Sequence, residues 1–429
     1  MRRALALLLL LSGCAVGPDY KRPDTPPAPA FKETPPAWKN AEPGDALGKG
    51  RWWEMFGDPE LSALVEKIEG ANFSLAAAEA QFRQAQAAVA IARAPLLPSI
   101  DFSGSAVRNR SPSGVIGGTT AGRTVTTRAA SFSANWEADF WGHIRRQVEA
   151  AEASLEASEA SYASARLSLQ SQLMTAYFQL RTIDLQKRLL DETVDALRKS
   201  LELTNNRYNV GVAAKADVVQ ADAQLKSTLV QAVDLGVQRA QLEHAIAVLT
   251  GVSPAELAIA PNFTYQAQLP AVPPGLPSEL LERRPDVAQA ERNMAAANAQ
   301  IGVVKSALFP TVTLSGQYGW RTADPTIGLL NVANRFWSLG PSVAYNVFDF
   351  GLRRAQTEQA IAAYDAQVAN YRQAVLTAFG NVEDNLAALR ILEEEAAAER
   401  DAVDAARLSL ELTINQYKAG TVSYLNVVT

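Results

Sequence analysis

Ser200 to Gly211 reads SLELTNNRYNVG, and 209 residues later Ser409 to Gly420 reads SLELTINQYKAG, with eight of twelve positions identical. A segment written twice at fixed spacing implies a chain built from two like units. The match extends outward: ADFWGHIRRQVEA answers FDFGLRRAQTEQA, and ARAPLLPSIDFSG answers VKSALFPTVTLSG. Each half reads helix, strand, strand, long helix, helix, and the last helix of the second half is expected to be truncated at Thr429. Pro95 and Pro98 stand at one helix-to-strand crossing and Pro310 at its counterpart, where proline ends a helix.

Proline marks where helices can run. Eight of the 22 prolines fall between Pro18 and Pro43, an extended tether, whereas none occurs between Pro112 and Pro254 or after Pro341. The proline-free tracts are rich in Ala, Gln, Glu, Leu and Arg, which favour helix. Steps of four and three from Leu169 give Leu173, Ala176, Leu180, Ile183, Lys187, Leu190, Val194, Leu197, Leu201, Thr204 and Tyr208. Only Lys187 and Thr204 break the apolar run, so the seam has a 3.5-residue period and predicts coiled-coil packing. A run of about 40 residues spans on the order of 60 Å and must pack on partners along its length.

The other period in the chain is two. Ile100, Phe102, Gly104 and Ala106 alternate with serines and Asp101, and Phe132, Ala134 and Trp136 alternate with Ser131, Ser133 and Asn135. In the second half Val312, Leu314, Gly316 and Tyr318 form one such set. Leu339, Val343, Tyr345 and Val347 form the other. Each stretch has the length of a tilted membrane-crossing strand. Four strands in lipid leave two edges of unpaired N–H and C=O groups, each costing several kcal/mol, and are too few to close a barrel. Either the sheet is covered in water, or several copies pool strands into one closed wall.

Charge and site chemistry exclude several classes. Lys plus Arg number 40 against 45 for Asp plus Glu, giving no net positive field for nucleic acid. The two histidines, His143 and His244, lack partners at ligand spacing, so no metal site is expected, and no cofactor site either. GVIGG at 114–118 lacks the following Lys-Ser/Thr of a phosphate loop, and Pro285 with Asp286 suits a helix entry. No nucleophile and base pair stands out, and the chain is not expected to be an enzyme. Gly142 and Gly351 suit strand-to-helix turns, while Trp136, Trp141, Trp320 and Trp337 near strand ends suit a membrane interface.

Met1-Arg2-Arg3 followed by the apolar run Ala4 to Leu11 reads as an export signal, since a bilayer span needs about 20 apolar residues. LSGC at 11–14 resembles the bacterial lipobox. That resemblance implies that Cys14, the single cysteine, becomes the first mature residue and carries a diacylglycerol and an N-acyl chain, such as palmitate. With Ala15 after it, outer-membrane sorting is implied.

The whole set resembles the TolC-like outer-membrane efflux proteins, in particular the lipoprotein branch serving proton-driven multidrug pumps. The resemblance rests on CAVGPDYKRP, WWEMFGDPELSALV, ARAPLLPSI, WEADFWGHIRR, RYNVG, ERRPDVAQAE, FDFGLRR and QYKAGTVSYL, spread from residue 14 to residue 425. It implies an α+β membrane protein: a homotrimeric twelve-strand β-barrel, four strands per chain, continuous with a long periplasmic coiled-coil tube. It also implies a passive exit duct for drugs or small toxic compounds, with a periplasmic adaptor and an inner-membrane pump as partners. Family members often carry acidic residues near the inner closure. This chain has Asn426 there, Asp217 as its first-half counterpart, and Asp222 and Thr429 near the same expected gate region. The expected division is a signal peptide at 1–13, a tether and belt at 14–58, a first repeat at 59–260, a linker at 261–283 and a second repeat at 284–429. The competing reading is a trimeric surface or structural lipoprotein without transport, which would pass no ions across a planar bilayer.

Overall fold

The computed structural model describes residues 15–23, 50–110, 124–268, 270, 284–324, 326–423 and 426–427. They divide into two compact units, each assembled from three stretches of chain. The first comprises Met1–Pro26, Ala80–Ser161 and Pro285–Val375, and the second Pro27–Glu79, Tyr162–Arg284 and Leu376–Thr429.

The first unit holds one antiparallel sheet: β1 (Ser99–Arg110), β2 (Thr124–Glu137), β3 (Thr311–Thr322) and β4 (Arg335–Ala344), in that spatial order. Pro341 sits in β4, an edge strand, where a missing N–H is tolerated. Tyr345 and Val347, expected to continue the alternation of β4, lie beyond it. The Asn346 side chain accepts from the Phe348 N–H at 3.2 Å, and Arg353 donates to the Asn346 carbonyl, so the chain is already turning toward the next helix.

Helices flank these strands at the crossings that the prolines marked. The helix Phe73–Arg93 gives way to a 3₁₀ turn at Ala94–Leu96 that contains Pro95. The helix Pro285–Ser306 ends four residues before Pro310, and Asp286 lies in its first turn. Its buried residues include the small Ala295, Ala299 and Gly302. This lets the segment 15–22 lie close against it. A Cβ on Gly17 would fall 2.5 Å from the Gly302 Cα. Arg146, 5 % exposed, reaches the carbonyls of Val16 and Gly17 and pairs with Asp19 at 2.8 Å. Asn298 donates to the Pro18 carbonyl, and the Tyr20 hydroxyl donates to Glu291.

In the second unit, α1 (Pro59–Ala71) starts where the Asp58 carboxylate accepts from the N–H groups of Glu60 and Leu61, with Pro59 in the first turn. Its apolar face, Leu61, Leu64, Val65 and Ile68, has helical spacing and joins Trp53, Leu173, Tyr177, Leu180, Ile246 and Ile259 in one core. Numbering all helices in chain order, α2 is Phe73–Arg93, α3 His143–Asn209, α4 Lys215–Leu249, α5 Pro285–Ser306 and α6 Leu352–Ala419. The 67 residues of α3 are about 100 Å long. On the predicted seam, Leu173, Ala176, Leu180, Ile183, Val194 and Thr204 are buried, and only Tyr208 is exposed. The hairpin partner α4 answers with Val218, Ala221, Leu225, Thr228 and Ala232, again in steps of three and four. On α6, every residue from Ala388 to Leu412 is exposed.

Candidate functional site

The sheet register sorts its residues onto two faces. Trp136, Leu314 and Pro341 lie in one row, followed by Ile100, Ala134, Gly316 and Leu339, then by Phe102, Phe132, Tyr318 and Trp337, then by Gly104, Ala130 and Trp320. Val312 and Val343 begin the series. These rows form one apolar face. The intervening rows hold Ser99, Asn135 and Ser315; Asp101, Ser133, Gln317 and Ser338; and Ser103, Ser131, Gly319 and Phe336. This second face is polar, with Ser103 and Ser131 hydroxyls 3.1 Å apart and Gln317 donating to Ser131.

From the row of Val312 to that of Trp320 the strand rises about 27 Å, or about 21 Å along a barrel axis at a tilt near 40°. That height suits a bilayer's apolar band. The face is bare: Trp337 is 76 % exposed, Ile100 72 % and Leu339 69 %. No helix among the described residues is long and apolar enough to cross a membrane.

Both predicted turn glycines sit where the chain passes from sheet to long helix, in the left-handed region that disfavours a side chain: φ is +79° at Gly142 and +88° at Gly351. A Cβ at Gly142 would also come within 2.9 Å of Ala15. Each turn is braced by a carboxylate. Asp139 accepts from the Arg145 N–H at 2.9 Å, and Asp349 accepts from the Gly351 N–H at 3.0 Å. The hydrogen bond from Arg353 holds the Asp349 carboxyl below the usual carboxylate range. Trp136 donates its indole N–H to the Leu96 carbonyl, and Trp141 donates to that of Pro310. These two tryptophans tie helix-to-strand crossings together, whereas Trp320 and Trp337 stand on the apolar face.

The gate candidates are dispersed in role. Asp217 caps its own helix, accepting from the Ala214 N–H at 3.2 Å, and Asp222 pairs with Lys226 at 2.7 Å. The Asn426 N–H donates to the Ser423 carbonyl. Cys14 and Thr429 lie outside the described residues. What joins the hairpin tip to the end of α6 is a set that the periodicity did not single out. Arg207 donates to the Tyr417 carbonyl at 2.8 Å and lies 4.7 Å over the Tyr417 ring, while the Tyr417 and buried Thr204 hydroxyls are 3.2 Å apart. The sequence did carry a signal for this, because Arg207 faces Gln416 across the duplication, one of four positions at which the two copies of the motif differ.

Among the described residues no cluster of three or more His, Cys, Asp or Glu could hold a metal ion. The buried charges serve structure. Arg181 and Asp184, 2 % and 1 % exposed, pair at 3.1 Å, and Arg239 reaches Asp184 at 2.8 Å. Arg181 and Arg239 also donate to the carbonyls of Ala260 and Ile259, clasping that segment to the α3–α4 hairpin.

A fold of this kind has relatives along nearly its full length. The efflux pump outer membrane protein TtgC of Pseudomonas putida is 31 % identical over 419 residues, covering 97 % of this chain and 86 % of the relative. The pyoverdine export outer membrane protein OpmQ of Pseudomonas aeruginosa is 31 % identical over 433 residues, covering 99 % of this chain and 89 % of that one. The solved structure of the outer-membrane channel OprN superposes with a TM-score of 0.88 at 32 % identity, covering 97 % of this chain and 92 % of that one. The family model of the outer membrane efflux proteins matches residues 64–252 and 276–429. With a four-stranded sheet of one apolar and one polar face and with long helices, the chain belongs to the TolC-like outer membrane efflux protein family.

Proposed function

We propose that this protein is the passive exit duct of a tripartite efflux system: a homotrimer whose four-stranded sheets join into one twelve-strand barrel in the outer membrane. It is a transport channel and not an enzyme. One observation carries the reading. The sheet is open, with β1 and β4 at its edges, and it presents a bare apolar face of bilayer height. An open edge in lipid is costly, so copies must pair β1 of one with β4 of the next. The polar face then lines the lumen, where serine, asparagine and glutamine side chains offer small solutes little specific grip.

The matching turns at Gly142 and Gly351 support the two-repeat reading, with 59–260 and 284–429 as the units and 261–283 between them. Cys14 carries the lipid anchor; the closeness of the following residue, Ala15, to Gly142 at the helix end of the sheet supports this reading. The inner end is closed near Asp217, Asp222, Asn426 and Thr429, with Arg207 and Tyr417 as the latch between tips. A periplasmic adaptor and a proton-driven pump supply cargo and energy. The cargo is small toxic compounds, as the names of several relatives suggest.

Light scattering of the protein in mild detergent tests the assembly, and the expected mass is three chains. Planar-bilayer recording tests the duct, and stepwise conductance is expected. A monomer, or a trimer that passes no current even after Arg207→Ala, would overturn the reading.

A further inference from the structure

Beyond the apolar rows, at the end of the sheet farthest from the helices, the same face changes character. Its next side chains are Arg335 beside Trp320, then Arg128 beside Ala106 and Thr322, then Arg108 beside Thr126, then Arg110 beside Thr124. All four arginines are exposed. Arg108, Arg110 and Arg128 make no ion pair with any described residue. Arg335 makes only a 3.4 Å hydrogen bond to the Val332 carbonyl. The acid on this face, Asp324, is engaged by the N–H and hydroxyl of Thr326 at 2.8 and 2.6 Å. Beside Arg128 lies a recess of about 200 Å³ lined by Thr124, Thr126, Thr322 and Asp324.

We infer that this arginine row binds the phosphate groups of a phosphorylated glycolipid in the external leaflet of the outer membrane. The inference rests on the proposed orientation of the sheet, in which the apolar face meets lipid and the loop end points outward. Arg335, Arg128 and Arg108 then stand within about 10 Å of the last apolar row, at headgroup depth. Every cation in the row is arginine. Its planar fork matches phosphate bidentately and, being weakly hydrated, gives up water more readily than lysine. Threonine hydroxyls in the recess add donors to the remaining phosphate oxygens. In the closed wall β1 adjoins β4 of the next copy, and both strands carry their arginines at the same end of the sheet, Arg108 and Arg110 on β1 and Arg335 on β4. Like charges gathered there need an anion between them. A soluble anion would use the arginines alone. A lipid also uses the apolar rows just below, Phe102, Phe132 and Trp337, and this continuity selects it.

The test is native mass spectrometry of the full-length protein in mild detergent, titrated with a bisphosphorylated lipid A or with the same lipid after removal of its phosphates. The variant carries Arg108→Gln, Arg110→Gln, Arg128→Gln and Arg335→Gln together. The wild type is expected to hold the phosphorylated lipid at least tenfold more tightly than the variant does, with no such difference for the dephosphorylated lipid. The fourfold Arg→Lys variant should recover only part of the loss. Equal affinities, or equal binding of both lipids by the wild type, would overturn the inference. So would displacement of the lipid by inorganic pyrophosphate at matched concentration, which would mark a site for any anion. If the fourfold variant does not assemble, Arg128→Gln alone is used, with an expected drop of two- to fourfold. Conductance of the wild type is recorded in parallel. Current with unchanged lipid affinity sinks the lipid site alone, whereas absence of current sinks the duct reading on which it stands.

Discussion

Asp184 sits between two arginines in the core of the helical unit, and no rule of periodicity picks it out. It follows the apolar seam residue Ile183, where the pattern allows either a solvated flank or a buried partner. Only folding shows that Arg181, Arg239 and the carbonyls of Ala260 and Ile259 converge there. Removing this carboxylate leaves Arg181 paired with Glu60 and Arg239 with Glu243, but it strips one partner from each guanidinium and from the Asn262 N–H. Asp184→Ala should therefore lower stability by roughly 1–3 kcal/mol, measured as a loss in the urea midpoint at constant slope. Tyr265 gives a pH signature nearby. Burial, and then the Asp58 carboxylate, push its hydroxyl up to about 12. An unfolded tyrosine ionises near 10, so the neutral form is the one that the fold favours. Its contribution is complete below pH ~10 and is lost as pH climbs through the folded value. Thermal melts between pH 10 and 12 should fall less steeply for Tyr265→Phe than for the wild type. Gly142 and Gly351 lie at the other extreme of legibility, because a glycine between a strand and a helix announces its positive φ in the sequence.

Elements were legible to the degree that their period was regular. The 3.5-residue seam of α3 emerged as buried or half-buried positions up to Thr204, because a heptad seam leaves a helix one face to cover. The alternating stretches became the four strands, but β4 ended at Ala344, before Tyr345 and Val347. There the Asn346 and Asp349 side chains accept from the N–H groups of Phe348 and Gly351, which turns the chain out of the ladder toward α6. The two faces of β4 make opposite predictions for adjacent residues. Leu339→Arg should cost roughly 2–4 kcal/mol of barrel stability, seen as loss of the heat-modifiable folded band on a gel. Ser338→Arg should leave that band unchanged and shift the channel toward anions. At the tip, Arg207 and Thr204 join the end of α3 to Tyr417 of α6. Arg207→Ala removes both the carbonyl contacts and the ring contact with Tyr417, and it should raise the open fraction in planar bilayers severalfold over the wild type.

For the molecule as a whole, the decisive property is what one copy leaves unfinished. It exposes a sheet with two free edges and a bare apolar face, together with a long stretch of α6 that is exposed all round. Three copies in mild detergent are the expected state, and labelled fatty acid should appear on the wild type and vanish in Cys14→Ser. Retained label in that variant would remove the anchor from the proposal. The sequence by itself determined the two periods, the duplication and the proline boundaries, since these depend on residue type and spacing along one line. It could not determine the strand register that puts sixteen apolar and small residues onto one face, nor the arginines gathered above them, nor the contact of Arg207 with Tyr417. Those depend on which distant segments meet. In a chain whose halves are separated by hundreds of residues, that choice is made by packing across the whole fold and not by any local preference.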